Sequence, residues 1–161
     1  MRLAILAAFA LLTPLPALAQ KASDKLPPAN ALPYEASDEG AVLAPIYAIF
    51  AAFEAGDKDA LLRHVYPDGR VTAVGEGKVR QHSFAQFAER ISPQYAFKER
   101  IWNPAIEIDG DIAMVWAPYD VTVAGKLSNC GMDHFDLVRE SGTWKVMNIT
   151  FSSRTAGCAA K

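Results

Sequence analysis

The sequence lacks an excess of charge of either sign. Its 161 residues include 16 Lys and Arg against 18 Asp and Glu, a formal net charge of −2. Proteins that bind nucleic acids carry an excess of basic residues. This composition has none, which argues against a nucleic-acid partner. The two cysteines are too few for a disulfide-dense mini-protein or a four-cysteine zinc module.

Several catalytic and cofactor-binding motifs are also missing. The sequence contains no glycine-rich phosphate loop, no Gly-x-Ser-x-Gly elbow and no His-Glu-x-x-His motif. Its three histidines, His64, His82 and His134, lie far apart along the chain. We therefore expect neither a bound metal nor a cofactor.

The N-terminus has the three-part layout of a secretory signal peptide. Arg2 precedes ten uncharged residues at 3–12, and a small-x-small site at residues 17–19 follows. The alternative, a membrane anchor, needs about 20 apolar residues, more than this run contains. We expect cleavage after Ala19, a periplasmic or secreted mature chain, and no membrane association after cleavage.

Export changes what the two cysteines indicate. In an oxidising compartment Cys130 and Cys158 favour a disulfide, and the loop they close would stabilise the fold by roughly 3–4 kcal/mol in the chain-entropy account. The alternative is two independent buried thiols. Metal binding by the pair is disfavoured, because no closely spaced cysteine motif exists and His134 alone is a poor third ligand.

The mature chain divides into a leader and one domain. Residues 20–36 contain Pro27, Pro28 and Pro33, which disfavour helix, so we predict a flexible leader. Residues 37–161 are long enough for a single globular domain.

Helical signals come first in that domain. Ser37 is a candidate cap for a first helix ending at Gly56, whose apolar residues recur every three to four positions. Pro45 lies inside the pattern, so the helix either bends there or begins there. Asp57 caps a short second helix, and Ser83 with Gln86 forms a capping box for a third.

Strand signals follow. A short pair is predicted at 70–74 and 78–82. Longer strands are predicted at 95–108, 111–123, 127–139 and 143–153, separated by turns at 109–110, 124–126 and 141–142. Early helices and late strands favour an α+β fold. We expect a curved antiparallel sheet with the three helices on its concave side.

Four stretches carry a family resemblance: AVLAP at 41–45, VWAPYD at 115–120, NCGMDHF at 129–135 and GTWKV at 142–146. With their spacing they resemble the nuclear-transport-factor-2-like superfamily, and in particular its exported bacterial members described as putative lumazine-binding or SnoaL-like. The resemblance covers residues 37–158 and implies a cone-shaped, cystatin-like fold with an internal pocket. One position departs from the pattern, since that branch usually has His where this chain has Asn129.

The resemblance places four side chains near the cone interior or its mouth: Trp116, Asp120, Asn129 and Asp133. A desolvated carboxyl group there would act as an acid or base near neutral pH. The alternative is that Asp120 and Asp133 bond backbone amides. Tyr47 on the first helix is a further candidate, although a core tyrosine explains its position equally well.

Strand parity divides the strand after Gly110 into two faces. Met114, Trp116, Pro118 and Asp120 share one face, which we assign to the interior. Val115, Ala117, Tyr119 and Val121 share the other. An apolar outer face of that kind predicts a homodimer formed through the sheet.

Three functions fit these features. The first is an exported domain that binds a small molecule in the cone. The second is a cofactor-free isomerase, dehydratase or cyclase that uses Asp120 or Asp133 as a general base. The third is an interaction module whose cone is filled by Trp116, Phe50, Phe53 and Phe87. Pocket volume distinguishes the third function from the other two.

Overall fold

The computed structural model describes residues 36–158, with side chains from Asp38 onward. The predicted signal peptide at 1–19 and the predicted leader, apart from Ala36, lie outside the described residues. Within residues 36–158, no helix has both the length and the apolar character needed to cross a membrane.

Three helices precede most of the sheet, as predicted. They are α1 (Ala36–Ala55), α2 (Lys58–Arg63) and α3 (Phe84–Ala88). Helix α1 continues through Pro45, so it does not begin there, and Gly56 ends it with a φ of 66°. Its buried stripe has the predicted spacing and includes Val42, Ile46, Ile49, Phe50 and Phe53.

Two of the three predicted helix caps are confirmed, whereas Ser37 lies inside α1, which begins at Ala36. The Ala60 amide donates to the Asp57 carboxylate at 2.9 Å. Ser83 and Gln86 exchange the two hydrogen bonds of a capping box at the start of α3. These short-range bonds satisfy amides that have no partner within the helix.

Seven strands form one curved, unclosed sheet: β1 (Val65–Gly75), β2 (Lys78–Ser83), β3 (Lys98–Ile101), β4 (Ala105–Asp109), β5 (Ile112–Val123), β6 (Lys126–Glu140) and β7 (Thr143–Ser152). The strand order is β2-β1-β7-β6-β5-β3, and β4 also pairs with β5. The sheet is mixed, because β1 runs parallel to β7. A parallel pair needs a long crossover, which α3 and strands β2 to β6 supply here.

The single extended stretch predicted at 95–108 is wrong. The chain makes a 3-10 turn at Pro93–Tyr95, and strands β3 and β4 are separated at residues 102–104. Asn103 has a φ of 46° and Pro104 has no amide hydrogen, so neither continues a ladder. The two strands then pair with different ends of β5.

The predicted hairpins between the long strands are present. Strands β5 and β6 join through Ala124–Gly125, and β6 and β7 through Ser141–Gly142. All four loop residues have positive φ, the type of two-residue turn that matches strand twist. The β4–β5 loop is Gly110 and Asp111, one residue later than predicted.

The predicted faces of β5 are wrong. Val115, Ala117, Tyr119 and Val121 are buried against the core, whereas Trp116 is 47% exposed on the outside of the sheet. Parity shows which residues share a face but not which face meets the helices. Pairing with β6 decides this, because Val115 lies opposite the core residue Phe135 and Trp116 lies opposite His134.

The predicted disulfide is confirmed. Cys130 on β6 is bonded to Cys158, with 5.7 Å between their Cα atoms. Next to it, the backbones of Cys130 and Arg154 exchange two hydrogen bonds of 3.0 Å. The segment after β7 is therefore tied to the sheet both covalently and by hydrogen bonds.

Candidate functional site

An aromatic cavity of about 420 Å³ lies between the helices and the inner face of the sheet. Its walls come from α1, α3, the segment around the 3-10 turn, and strands β1, β3, β5, β6 and β7. The rings that line it are Phe50, Phe53, Phe87, Tyr95, Phe97, Tyr119, Phe135 and Phe151. Phe50, Phe53 and Phe87 thus line the cavity and leave it open, which argues against a filled cone.

Two carboxyl groups face each other beside this cavity. Glu99 of β3 lines it, and Asp133 of β6 lies behind the lining with 1% of its surface exposed. No nitrogen or hydroxyl donor among residues 36–158 hydrogen-bonds either Asp133 carboxyl oxygen. The Glu99 carboxyl is close enough to share a proton with Asp133. Asp133 therefore lacks the donors that would stabilise a negative charge, whereas Glu99 is half-buried at the cavity wall.

This arrangement raises the pKa of both acids. Burial raises the pKa of Glu99 to about 7, although the hydrogen bond with Asp133 lowers it in part. Burial also raises the pKa of Asp133 well above its usual value, and the negative charge of Glu99 adds to that effect. Two adjacent carboxyl groups in an apolar site hold one proton between them near neutral pH.

Tyr119 completes the polar side of the cavity. Its hydroxyl lies 2.9 Å from Asn129 Oδ1 and 3.0 Å from the Ser152 carbonyl oxygen, and its one proton can serve only one of them at a time. Burial raises the pKa of the Tyr119 phenol, and the charges of Asp133 and Glu99 raise it further. The phenol is therefore a neutral hydrogen-bonding group.

The structure brings two of the predicted site residues to this region. Asn129 lines the cavity, and Asp133 lies behind Glu99. Tyr47 does not join them, since it is 50% exposed on α1 and its ring packs edge-on against Phe50.

Trp116 and Asp120 do not line the cavity, which corrects the prediction for both. Trp116 packs beside His134 on the outer face, with 6.0 Å between ring centroids. Asp120 is only 3% exposed, but both of its carboxylate oxygens accept hydrogen bonds of 2.8 Å from Arg100. Asp120 therefore joins β5 to β3 by a two-point ion pair.

Sequence reasoning missed Glu99 and assigned Tyr119 to the wrong face. The sequence did contain a signal for Glu99. In an extended strand Phe97, Glu99 and Ile101 share one face, so the acid shares its face with two apolar residues. The orientation of Tyr119 depends on how β5 pairs with β6, and the sequence of β5 alone does not specify that pairing.

Within residues 36–158, no three His, Cys, Asp or Glu side chains are grouped as metal ligands.

Comparison with known proteins identifies the family. Residues 37–152 match the profile of a family described as "Putative lumazine-binding". No curated protein matches the sequence.

Solved structures share the fold. A protein of unknown function with a cystatin-like fold from Nostoc punctiforme has a TM-score of 0.63 at 12% identity, covering 78% of this chain and 97% of that one. An NTF-2-like protein of unknown function from Silicibacter pomeroyi has a TM-score of 0.59 at 20% identity, with coverages of 73% and 97%. A putative aromatic ring hydroxylase from Novosphingobium aromaticivorans has a TM-score of 0.63 at 20% identity, with coverages of 76% and 93%.

At these identities the neighbours show the fold alone, whereas the family profile covers most of the chain. The chain therefore belongs to the family described as "Putative lumazine-binding", and its fold is that of the solved NTF-2-like and cystatin-like proteins.

Proposed function

We propose that this protein is an exported domain that binds a small, largely apolar molecule in the aromatic cavity. The observation that carries the proposal is the open volume of about 420 Å³, half of whose lining residues are aromatic. Small-molecule sites have volumes of roughly 300–1,000 Å³ and combine apolar walls with a few polar groups. The polar groups here include Gln94, Glu99, Tyr119, Ser128 and Asn129.

Planar ligands fit this lining best. Aromatic side chains favour stacked or edge-on contacts with another ring, and Phe53 already has such contacts with Phe87 and Phe97. Lumazine, which the family description names, is a planar heterocycle and is therefore one candidate to test. The predicted signal peptide and the disulfide support export.

Native mass spectrometry of protein purified from the periplasm or medium tests the proposal. We expect a retained small molecule, or saturable binding of lumazine or another planar compound. Ser128 is exposed at the cavity wall, so Ser128→Trp should obstruct the cavity without disturbing the core. Thr143→Trp in the exposed β6–β7 hairpin is the matched control. If both variants bind like the wild type, the cavity is not the binding site.

The carboxyl pair favours a second candidate, a cofactor-free enzyme that transfers protons. A base is most effective when its pKa is near the working pH, and Glu99 has a pKa of about 7. Glu99 then acts at the cavity wall in place of Asp120 or Asp133, and Asp133 tunes its proton affinity. Deuterium exchange into 2-tetralone in D₂O, followed by NMR, tests this activity. Exchange no faster than with Glu99→Gln would refute it.

We also propose that a second copy of the chain covers the outer sheet face. The residues first predicted for that face are buried, but its row on β5 carries Ile112 and Trp116, which are 59% and 47% exposed. Sedimentation velocity should detect a dimer that Trp116→Arg weakens. Ala51→Arg on α1, where Ala51 is exposed on the helical side of the molecule, is the control and should leave the dimer intact.

A further inference from the structure

A second, polar cavity of about 300 Å³ adjoins the aromatic one, and we refer to it as the cationic groove. It is formed by the β1–β2 hairpin, the start of β6 and the segment after β7. Its lining consists of Ala73, Gly75, Glu76, Lys78, Arg80, Ser128, Asn129, Phe151, Ser153, Arg154 and Thr155. Ser128, Asn129 and Phe151 also line the aromatic cavity. A molecule held in the aromatic cavity can therefore extend past these three residues into the groove.

The groove has a net positive charge. Lys78, Arg80 and Arg154 line it against a single acid, Glu76. Among residues 36–158, no ion pair involves any of these three cations. The Arg154 guanidinium also lies close enough to Tyr119 to lower the pKa of its phenol, against the stronger effect of burial. Positive charge thus reaches Tyr119, whose hydroxyl lies 2.9 Å from Asn129 Oδ1 in the shared wall.

The fold holds these cations together. Arg154 is fixed by its two backbone hydrogen bonds to Cys130, beside the disulfide. The Ser153 amide donates to the Val74 carbonyl at 2.8 Å, which draws the β1–β2 hairpin against the same segment. At Gly75 an added Cβ would lie 2.4 Å from the Ser153 carbonyl oxygen, so only glycine permits this approach. Tertiary contacts thus hold the backbone of the groove, while the side chains of Lys78, Arg80 and Arg154 are exposed.

The side of the aromatic cavity farthest from the cationic groove carries the acid Glu99. Glu99 lies opposite Val121 on β5, and Val121 lies opposite Asn129 on β6. Neighbouring strands are about 4.8 Å apart, so Glu99 and Asn129 are separated by roughly 10 Å. A ligand between them meets a proton-sharing carboxyl pair at one side and positive charge at the other.

We propose that the ligand is an amphipathic anion whose ring system fills the aromatic cavity and whose acidic group lies in the cationic groove, an inference that rests on the proposed function. Arg154 binds the acidic group, because its planar guanidinium matches carboxylate, sulfonate or phosphate oxygens in a two-point contact. Lys78 and Arg80 add long-range attraction, and Glu76 opposes it.

A matched pair of fluorescent compounds tests the proposal on the whole mature protein. 1-Anilinonaphthalene-8-sulfonate and N-phenyl-1-naphthylamine share one ring system and differ only in the sulfonate. We expect the sulfonate to bind one site at least tenfold more tightly at low salt, and added salt should reduce that preference. Arg154→Gln should weaken sulfonate binding roughly tenfold, as expected for one lost charge-assisted hydrogen bond.

The remaining variants separate charge from folding. Arg154→Gln should leave binding of the neutral amine unchanged, Arg154→Lys should restore part of the sulfonate affinity, and Glu76→Gln should increase it. Arg90→Gln, an exposed cation outside the groove, should have no effect. Equal binding of both compounds, unaffected by Arg154→Gln, would overturn the anion proposal while the proposed function stands. If neither compound shows binding that Ser128→Trp abolishes, the proposed function fails as well.

Discussion

A carboxyl group that is desolvated beside a second carboxyl group binds its proton more tightly than it would in water. Glu99 and Asp133 are in this situation, because the walls around them are apolar and no nitrogen or hydroxyl donor among the described residues reaches Asp133. The free energy of folding is therefore coupled to pH through this pair. The cavity consequently presents a proton that it can donate or accept near neutral pH.

The pH dependence of stability should report on Glu99. Its pKa is raised from 4.5 to about 7 on folding. Below pH 4.5 the acid is neutral in both states. Between pH 4.5 and 7 it ionises in the unfolded chain first, so the wild type loses stability as the pH rises through this range.

Glu99→Gln removes that loss. At pH 8 the variant should be more stable than the wild type by roughly 1–3 kcal/mol, and below pH 4.5 the difference should vanish. Urea denaturation across this range measures it. Glu89→Gln, at an exposed ion pair with Lys58, is the control and should change stability by less than about 1 kcal/mol. A Glu99→Gln variant that is less stable at pH 8 would contradict the prediction.

Asp133→Asn distinguishes a functional acid from a structural one. Because no backbone amide or other donor in the described chain bonds Asp133, the change removes a buried acid without breaking a hydrogen-bonded cap. Stability at pH 7.5 should hold or rise, and binding of 1-anilinonaphthalene-8-sulfonate should change. A loss of roughly 1–3 kcal/mol with unchanged binding would instead identify Asp133 as structural.

At the scale of elements, two connections decide which strands meet at the cavity. The Arg100–Asp120 pair joins β3, which carries Glu99, to β5. Asp120→Asn should lower the free energy of unfolding by roughly 1–3 kcal/mol, since it weakens a charge-assisted contact of a buried group. Thermal and urea denaturation measure the change. Asp111→Asn, at the exposed pair with Arg139, should have a smaller effect.

The disulfide is the second connection. Intact-mass analysis of the unreduced, exported protein after alkylation should find no free thiol. Cys158→Ser should lower stability by roughly 2–4 kcal/mol. Cys158→Ser should also weaken sulfonate binding, because the disulfide lies beside the backbone hydrogen bonds between Cys130 and Arg154. Two alkylated cysteines in the exported protein would contradict the prediction.

At the scale of the whole molecule, one curved sheet encloses an apolar cavity at its inner face and exposes Trp116 at its outer face. The two faces correspond to the two proposed partners, a small ligand inside and a second copy outside. Export and the division into leader and domain remain predictions from residues 1–36.

Signal cleavage is testable on the expressed protein. The mature chain recovered from the periplasm or medium should begin at Gln20, because residues 17–19 match the small-x-small cleavage pattern. Intact-mass measurement identifies the start to one residue. An Ala19→Arg variant should block processing, whereas Ala22→Arg should not. Recovery of unprocessed wild type from the cytoplasm alone would refute export.

By itself, the sequence determined what depends on neighbouring residues. The caps Asp57 and Ser83, the turns before β6 and β7 and most strand bounds follow from contacts within about four residues, so their signals survive in the chain as written. The same local signals predicted the order of helices and strands, and the family resemblance added the cone-shaped fold and its pocket. The predicted export made pairing of the two cysteines the favoured alternative.

Only the tertiary structure decided which face of β5 meets the helices and which acids meet each other. Parity groups Trp116 with Asp120 but carries no information about inside and outside when both faces contain apolar residues. Pairing with β6 resolved that choice and placed Tyr119 inward. Glu99 and Asp133 come together across β5 from strands more than thirty residues apart in sequence, and their shared proton arises from desolvation that exists only in the folded core.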